Sequence, residues 1–303
     1  MRFGVHVGIG KGFAKAVDEA VAAGCECIQI FSGNPRAFRI GRFDQAEWDA
    51  FRRLRAERGI APVVIHTSYL INLATTNKGL HKNSVALVAN DLSVASKAGI
   101  EYVNTHLGSY GDQERSAGFA RVCETIARVI AKAAPGPMLL LENSAGAGNH
   151  VGGTLDELGA ILREVGSSRV GVCLDTAHAW ASGYDLANER GVAAFLAAIE
   201  KQIGFDRVRA LHLNDTQVAL GARRDLHWHV AKGNIGAAGF RRLLAAKELA
   251  HVAAICETPK TPELDRQNVS TARRLAGVRG TTKRGKSSRK PEQTATKSGR
   301  KRR

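Results

Sequence analysis

The chain is expected to fold as an α/β protein, a (β/α)8 TIM barrel, followed by a disordered basic C-terminal tail. Short apolar runs alternate with amphipathic stretches eight times in about 275 residues, roughly 34 per unit, a spacing typical of strand–helix pairs closing into a barrel. Six successive runs end in a histidine or a carboxylate: VVIHT (His66), YVNTH (His106), LLLEN (Glu142), VCLDT (Asp175), ALHLN (His212) and AAICET (Glu257). After Gly277 the alternation stops. These observations set the expected division: a barrel over 1–278 and a Lys/Arg-rich tail over 279–303.

Taken in order, the first unit pairs a strand at 3–7 with a helix at 11–23, and the second a strand at 27–31 with a helix at 44–58. The third and fourth pair strands at 62–67 and 102–107 with helices at 82–97 and 117–133. Strands at 138–143 and 170–176 lead to helices at 155–165 and 192–203. The last two units are 208–214 with 238–249, and 252–258 with 263–275. The helices carry apolar residues three and four apart, as in Leu155, Leu158, Ile161 and Leu162, which line one face. Gly24, Gly59, Gly99, Gly166, Gly204 and Gly277 close six of them, as residues free to adopt the left-handed cap. A doubly wound open sheet is the competing topology. It has less weight because six successive strands end in metal-capable groups, which a closed ring gathers more readily.

Composition is that of a globular protein with a sizeable core: 303 residues, 44% hydrophobic and 24% charged. No window approaches the ~18 consecutive apolar residues of a membrane span, and the N-terminus runs straight into a strand pattern without a leader-like segment. Cys25, Cys27, Cys123, Cys173 and Cys256 are odd in number and lie in expected strands and helices, which argues for reduced core residues in a cytosol. Cys25-x-Cys27 has no second pair and is a weak metal signal. Of the net charge of +16, residues 279–303 carry eleven Lys/Arg against Glu292, or +10, leaving +6 for the rest. The tail has no aliphatic or aromatic side chain larger than alanine, so it cannot bury surface to order itself; it reads as an electrostatic arm for nucleic acid.

A side chain at the C-terminal end of a parallel strand points into the barrel mouth. Asp, Glu and His together occupy about one position in eight, so chance would leave several of six strand ends without one. Three imidazoles and three carboxylates in one volume either share cations or suffer a large desolvation cost. His178 follows Asp175 by three residues, and Asp225 and His227 sit in the loop after His212 with the i, i+2 spacing of one side of an extended segment. The set is then His66, His106, Glu142, Asp175, His178, His212, Asp225, His227 and Glu257. Five imidazoles and four carboxylates without cysteine suit Zn²⁺ or Mn²⁺, and nine ligands exceed what one or two open sites use. Three ions sharing a carboxylate fit the count. His6, His81, His150, His229 and His251 are expected to be structural.

Five segments carry a more specific resemblance: His66-Thr-Ser-Tyr-Leu-Ile-Asn-Leu73, Leu141-Glu-Asn-Ser-Ala-Gly-Ala-Gly148, Gly171-Val-Cys-Leu-Asp-Thr-Ala-His-Ala-Trp-Ala-Ser-Gly-Tyr-Asp185, Leu211-His-Leu-Asn-Asp215 and Lys232-Gly-Asn-Ile-Gly236. Over about residues 2–275 the chain resembles the endonuclease IV family, zinc-dependent apurinic/apyrimidinic endonucleases of base-excision repair. The resemblance implies three Zn²⁺, with Mn²⁺ as an alternative at one position. A first metal would take His66, His106 and Glu142; a second Asp175, His212, Glu257 and a shared Glu142; a third His178, Asp225 and His227. Thr67, Ala177, Trp228 and Ala231 stand where the family has an acidic residue, cysteine, histidine and glycine, and none of these removes a ligand.

The resemblance also implies that Arg36, Tyr69 and Leu70 wedge into double-stranded DNA and hold an abasic nucleotide outside the stack. The expected activity is metal-assisted in-line attack of water 5′ to an abasic site, leaving a 3′-hydroxyl and a 5′ deoxyribose phosphate. Trimming of damaged 3′ ends is expected beside it. Glu142 and Glu257 are the candidates for proton transfer. A monomer acting in the cytoplasm at the nucleoid, or in a eukaryotic nucleus, is expected, without a membrane partner. The rival reading is a metal-dependent sugar isomerase or epimerase on a related barrel. It uses fewer metals and gives no role to a basic chain.

Overall fold

The computed structural model describes residues 1–38 and 44–278. The expected tail, 279–303, lies outside the described residues.

Eight parallel strands close into a barrel in sequence order. They are β1 (Arg2–His6), β2 (Cys27–Phe31), β3 (Val63–His66), β4 (Tyr102–Thr105), β5 (Met138–Glu142), β6 (Val170–Asp175), β7 (Val208–His212) and β8 (Ala253–Cys256). The ring shuts where Val5 of β1 pairs with Cys256 of β8. The main helices are α1 (Phe13–Ala22), α2 (Gln45–Glu57), α3 (Lys78–Ala98), α4 (Arg115–Lys132), α5 (Leu155–Val165), α6 (Thr176–Ser182), α7 (Glu189–Gln202), α8 (Gly236–Leu244) and α9 (Pro262–Leu275). Among the described residues no helix is long and apolar enough to cross a membrane.

Local chemistry sets the element ends. The Asp44 side chain accepts from the Glu47 N–H while Glu47 returns a bond to the Asp44 N–H, a reciprocal cap that starts α2. Thr154 caps α5, whose Leu155, Leu158 and Ile161 are buried, and Gly166 ends it in the left-handed conformation.

Two features differ from the expected elements. The helix α6 follows β6 without a break. The expected helix over 238–249 is shorter, and a separate 3-10 turn, Lys247–Leu249, buries Leu249 before β8.

Period-2 alternation divides each strand. On β3, Val63 and Ile65 face the helices in the main core, whereas Val64 joins Cys27, Ala253 and Ile255 inside the barrel. Leu140, Cys173 and Ala210 form the rest of this interior plug. The plug is thin because several inward residues are small. A Cβ on Gly4 would collide with the Cys27 carbonyl, so the strands approach closely only with glycine there. Two residues beyond these apolar positions, the same inward parity brings up His66, Glu142, Asp175, His212 and Glu257.

Candidate metal centre

All nine expected ligands converge on the C-terminal mouth of the barrel. Three clusters of donor atoms lie within 4.8 Å of one another: His66, His106 and Glu142; Glu142, Asp175, His212 and Glu257; and Asp175, His178 and His227. In the first, His66 Nε2 is 3.3 Å and His106 Nε2 3.8 Å from Glu142 Oε2. In the second, His212 Nδ1 lies 3.0 Å from Glu257 Oε2, 3.2 Å from Glu142 Oε1 and 3.7 Å from Asp175 Oδ2. The two oxygens of Glu142 are thus divided between two clusters, as a bridging carboxylate requires.

Asp225 completes the third set. Its Oδ1 is 3.2 Å from His178 Nε2 and 3.3 Å from His227 Nε2, and the two nitrogens are 3.3 Å apart. Tetrahedral ligands at about 2.0–2.2 Å from a zinc ion stand about 3.3–3.6 Å from one another. The triangle has that size. Asp175 Oδ2 also reaches His227 Nε2 at 3.4 Å, which joins the second and third clusters.

The imidazoles are oriented for coordination. His66 Nδ1 bonds the Thr67 carbonyl at 2.7 Å, His178 Nδ1 the Asn143 carbonyl at 2.9 Å, and His227 Nδ1 the Glu257 carbonyl at 3.3 Å. A carbonyl only accepts, so each Nδ1 carries the proton and each Nε2 presents a lone pair to the cluster. His212 is reversed: its Nε2 meets Gln29 Oε1 at 2.9 Å, leaving Nδ1 for the carboxylates. Each inner carboxylate receives one carboxamide. Asn104 donates to Glu142 Oε2 at 2.6 Å, Asn214 to Asp175 Oδ2 at 2.7 Å, and Gln29 to Glu257 Oε1.

The electrostatics match this mutual dependence. Burial alone would raise the carboxyls of Glu142 and Glu257, but the facing imidazoles outweigh it and hold both well below the usual range. Burial opposes charge on His178 and His212 as well, yet Asp175, Asp225 and Glu142 push His178, and Cys173, Glu257 and Glu142 push His212, well above the ordinary value. At Asp225 burial is again outweighed by His178 and His227, and the carboxyl falls to about 2. The imidazoles of His178 and His212 hold protons tightly when nothing else neutralises the carboxylates, and a divalent cation would replace those protons.

Local structure delivers the loop ligands. Asp175 Oδ1 accepts from the His178 N–H at 2.9 Å, so the strand-end carboxylate caps α6 and brings the His178 ring back to the cluster with Asp175 and His227. That explains the Asp-Thr-Ala-His spacing. The segment bearing Asp225 and His227 is organised by Asp215, which is fully buried. Its carboxylate accepts from the N–H groups of Thr216, Gly233, Ile235 and Gly236 at 2.8–3.1 Å. A Cβ on Gly233 would meet the Thr216 carbonyl, so the Lys-Gly-Asn-Ile-Gly motif wraps Asp215 only with glycine there.

Arg36, Tyr69 and Leu70 stand together at the rim. Tyr69 is 55% and Leu70 38% exposed, and the Tyr69 N–H and Ser68 hydroxyl both donate to the Pro35 carbonyl, tying their loop to that of Arg36. A cavity of about 400 Å³ beside them is lined by His66, His106, Glu142, His227 and Glu257. His81 and His251 bond Thr125 and the Val208 carbonyl, in keeping with structural roles. His6 does not fit that class. Its Nδ1 lies 2.9 Å from Gln29 Nε2 and 3.4 Å from Glu257 Oε1, so β1 contributes to the site, because the inward parity of a short strand brings its last residue to the mouth. Phe38 and Leu226, the latter between Asp225 and His227, are exposed apolar side chains. Cys25 and Cys27 are buried, and neither belongs to a metal-capable cluster among the described residues.

Comparison with known proteins agrees with this geometry. The xylose isomerase-like TIM barrel family matches residues 17–276. A probable endonuclease 4 from Methanoculleus marisnigri is 41% identical over 278 residues, 91% of this chain and 99% of the relative. One from Natranaerobius thermophilus is 37% identical over 279 residues, 91% of this chain and 98% of the relative. The crystal structure of endonuclease IV from Thermus thermophilus superposes with a TM-score of 0.82 at 39% identity, covering 91% of this chain and 99% of that one. A D-tagatose 3-epimerase-like protein, at TM-score 0.70 and 17% identity over 92% of this chain and 98% of its own, shares the fold alone. With a barrel mouth built from these donors and over a third of its positions shared along nearly the whole length of such relatives, the chain belongs to the endonuclease IV family.

Proposed function

We propose that this chain incises double-stranded DNA 5′ to abasic sites, leaving a 3′-hydroxyl and a 5′ deoxyribose phosphate, and also trims damaged 3′ ends. The observation that supports this most is the orientation of the histidines. His66, His178 and His227 spend one nitrogen on a carbonyl and His212 spends one on Gln29, so all four turn the other toward shared carboxylates. The donor set, nitrogen and oxygen without sulfur, suits three Zn²⁺, with Mn²⁺ as an alternative at one position.

His66, His106 and Glu142 would hold one ion, Glu142, Asp175, His212 and Glu257 a second, and His178, Asp225 and His227 a third. When bound, the ions supply Lewis acidity, neutralising phosphate charge and lowering the pKa of water from ~15.7 toward ~7. Arg36, Tyr69 and Leu70 enter the duplex at the rim and keep the abasic sugar extruded in the cavity. Tyr69 and Phe31 line that side of the cavity and exclude water from it. Glu142 fixes the spacing of the first two clusters through its two oxygens. Glu257 faces the cavity, with Oε1 held by Gln29, and accepts the proton of the attacking water. The enzyme works as a monomer in the compartment that holds the DNA.

The test is incision of a duplex with one abasic site, with the product's 3′ end assayed for extension by a polymerase. The native chain should give an extendable end, and Glu257→Gln should slow incision about a thousandfold, the several kcal/mol that charge stabilisation contributes. An intact strand, or a 3′ end that cannot be extended, would overturn the proposal.

A further inference from the structure

The cavity of about 400 Å³ at the mouth has one Lys or Arg among the described residues that line it, Lys260. It stands in the loop between β8 and α9, shortly after Glu257. Pro259 and Pro262 flank it and restrict the backbone, and Thr261 caps α9 by accepting from the Leu264 N–H. The Lys260 ammonium donates to the His6 carbonyl at the end of β1 and lies 3.4 Å from Asp265 Oδ2 in the first turn of α9. An ammonium has three N–H donors and no acceptor, so a third is left for what enters the cavity. The side chain is 48% exposed, and an ion pair in such a setting is weak enough to give way to phosphate oxygens.

An extruded abasic unit brings two phosphates to this space. The 5′ phosphate carries the bond to be cut and belongs with the three donor clusters, none of which includes Lys260. The 3′ phosphate, one sugar further along the strand, keeps its charge throughout. Glu257 and Asp265 line the cavity on the β8 side, and bringing a phosphate beside carboxylates is costly unless a cation stands with them. Lys260 is that cation, a compact point charge of the kind that suits a phosphate. Its bond to the His6 carbonyl holds it where β1 meets β8, close to Glu257, whose Oε1 is 3.4 Å from His6 Nδ1.

We propose that Lys260 binds the phosphodiester 3′ to the abasic unit and so selects a lesion inside a strand over the same unit at a 3′ end. This rests on the endonuclease reading, since it names a second phosphate of that substrate. An internal lesion offers the phosphate and a 3′-terminal unit does not, so one mouth serves incision and 3′ trimming with different affinities. The contact is the same before and during bond cleavage. It therefore strengthens binding and leaves the chemical step unchanged.

Three proteins test this: the native chain, Lys260→Gln and Lys260→Arg, each assayed on two duplexes. One duplex holds an internal tetrahydrofuran abasic analogue. The other is nicked directly 3′ of that unit, with hydroxyls at the nick, so that only the 3′ phosphate is missing. On the intact duplex Lys260→Gln should raise KM about tenfold at unchanged kcat, as loss of one charge-assisted hydrogen bond does, while Lys260→Arg stays near native. On the nicked duplex all three should have the same KM. A methylphosphonate at the 3′ linkage should cost the native chain the same loss and Lys260→Gln nothing further. With divalent ions removed by a chelator, the slope of log K against log salt for the intact duplex should be shallower by about 0.9 in Lys260→Gln. Equal KM values for Lys260→Gln and the native chain on the intact duplex would overturn the proposal. So would a loss of equal size on both duplexes, which would place the amine at the scissile phosphate or in the folding of its loop. A native chain that cuts neither duplex would reject the endonuclease reading and this proposal with it, an outcome distinct from both.

Discussion

The His212 ring is held between Gln29 and Glu257, with Nε2 2.9 Å from the amide oxygen and Nδ1 3.0 Å from the carboxylate. The same amide donates to the other oxygen of Glu257, so one buried side chain sets both the tautomer of a ligand and the angle of its neighbour. Gln29→Leu keeps the volume and removes both bonds. Metal affinity at the second cluster should fall about 10–100-fold, read by competition with a chelator, while circular dichroism stays native. Unchanged affinity would show that packing alone orients His212.

Asp215 touches no donor of the three clusters, yet it gathers four backbone N–H groups of the loop that supplies Asp225 and His227. In Asp215→Asn one oxygen becomes an N–H donor facing other N–H groups. The expected cost is about 1–3 kcal/mol in stability, together with loss of one metal per chain from the third cluster. If the variant keeps its full metal content, the loop is fixed by other contacts.

Asp91, on α3, is buried and accepts from the Ser32 hydroxyl, which anchors the loop carrying Arg36. Burial pushes its carboxyl up to about 6 from an ordinary 3.8, more than the bonds from Ser32 and Asn90 pull it down. The folded chain therefore binds more protons than the unfolded chain between about pH 4 and 6. This group's stabilisation is present below about pH 4 and lost as pH rises through about 6. Asp91→Asn removes that loss. The variant should gain at most about 3 kcal/mol over the native chain at pH 8, and nothing near pH 4, in denaturant titrations. A pH-independent difference would contradict the assignment.

Tyr69 and Leu70 expose apolar surface at the rim without filling any core position. Their replacement by alanine should leave the melting temperature unchanged and weaken binding to abasic duplex by about 1–3 kcal/mol each, measured by fluorescence anisotropy. Arg36→Ala should act in the same direction and reduce the salt slope by about one if it contacts phosphate. Equal affinity for native and variant chains would remove these residues from the DNA interface.

The barrel and the convergence of the nine donor residues were legible because both follow from short periods. Strand alternation fixes which side chain faces inward, and a ligand type at a strand end is visible in one chain. The short helix α6 escaped because Asp175 is at once the last residue of a strand, a metal-capable donor and a helix cap, with no turn residue to mark the change. The positioning residues escaped for another reason. Gln29, Asn104, Asn143 and Asn214 act on partners 32 to 183 positions away, and a carboxamide in a strand carries no local sign of its target. Parity held a usable signal: Gln29 and Asn104 lie on inward positions beneath the mouth. His6 could have been found the same way.

The most direct test of the trinuclear reading is metal content per chain, by plasma mass spectrometry on protein whose concentration is set by amino-acid analysis. The account predicts three divalent ions per folded chain, incision lost on chelation, and incision restored by Zn²⁺. One ion or none in a chain that still incises abasic DNA would contradict it.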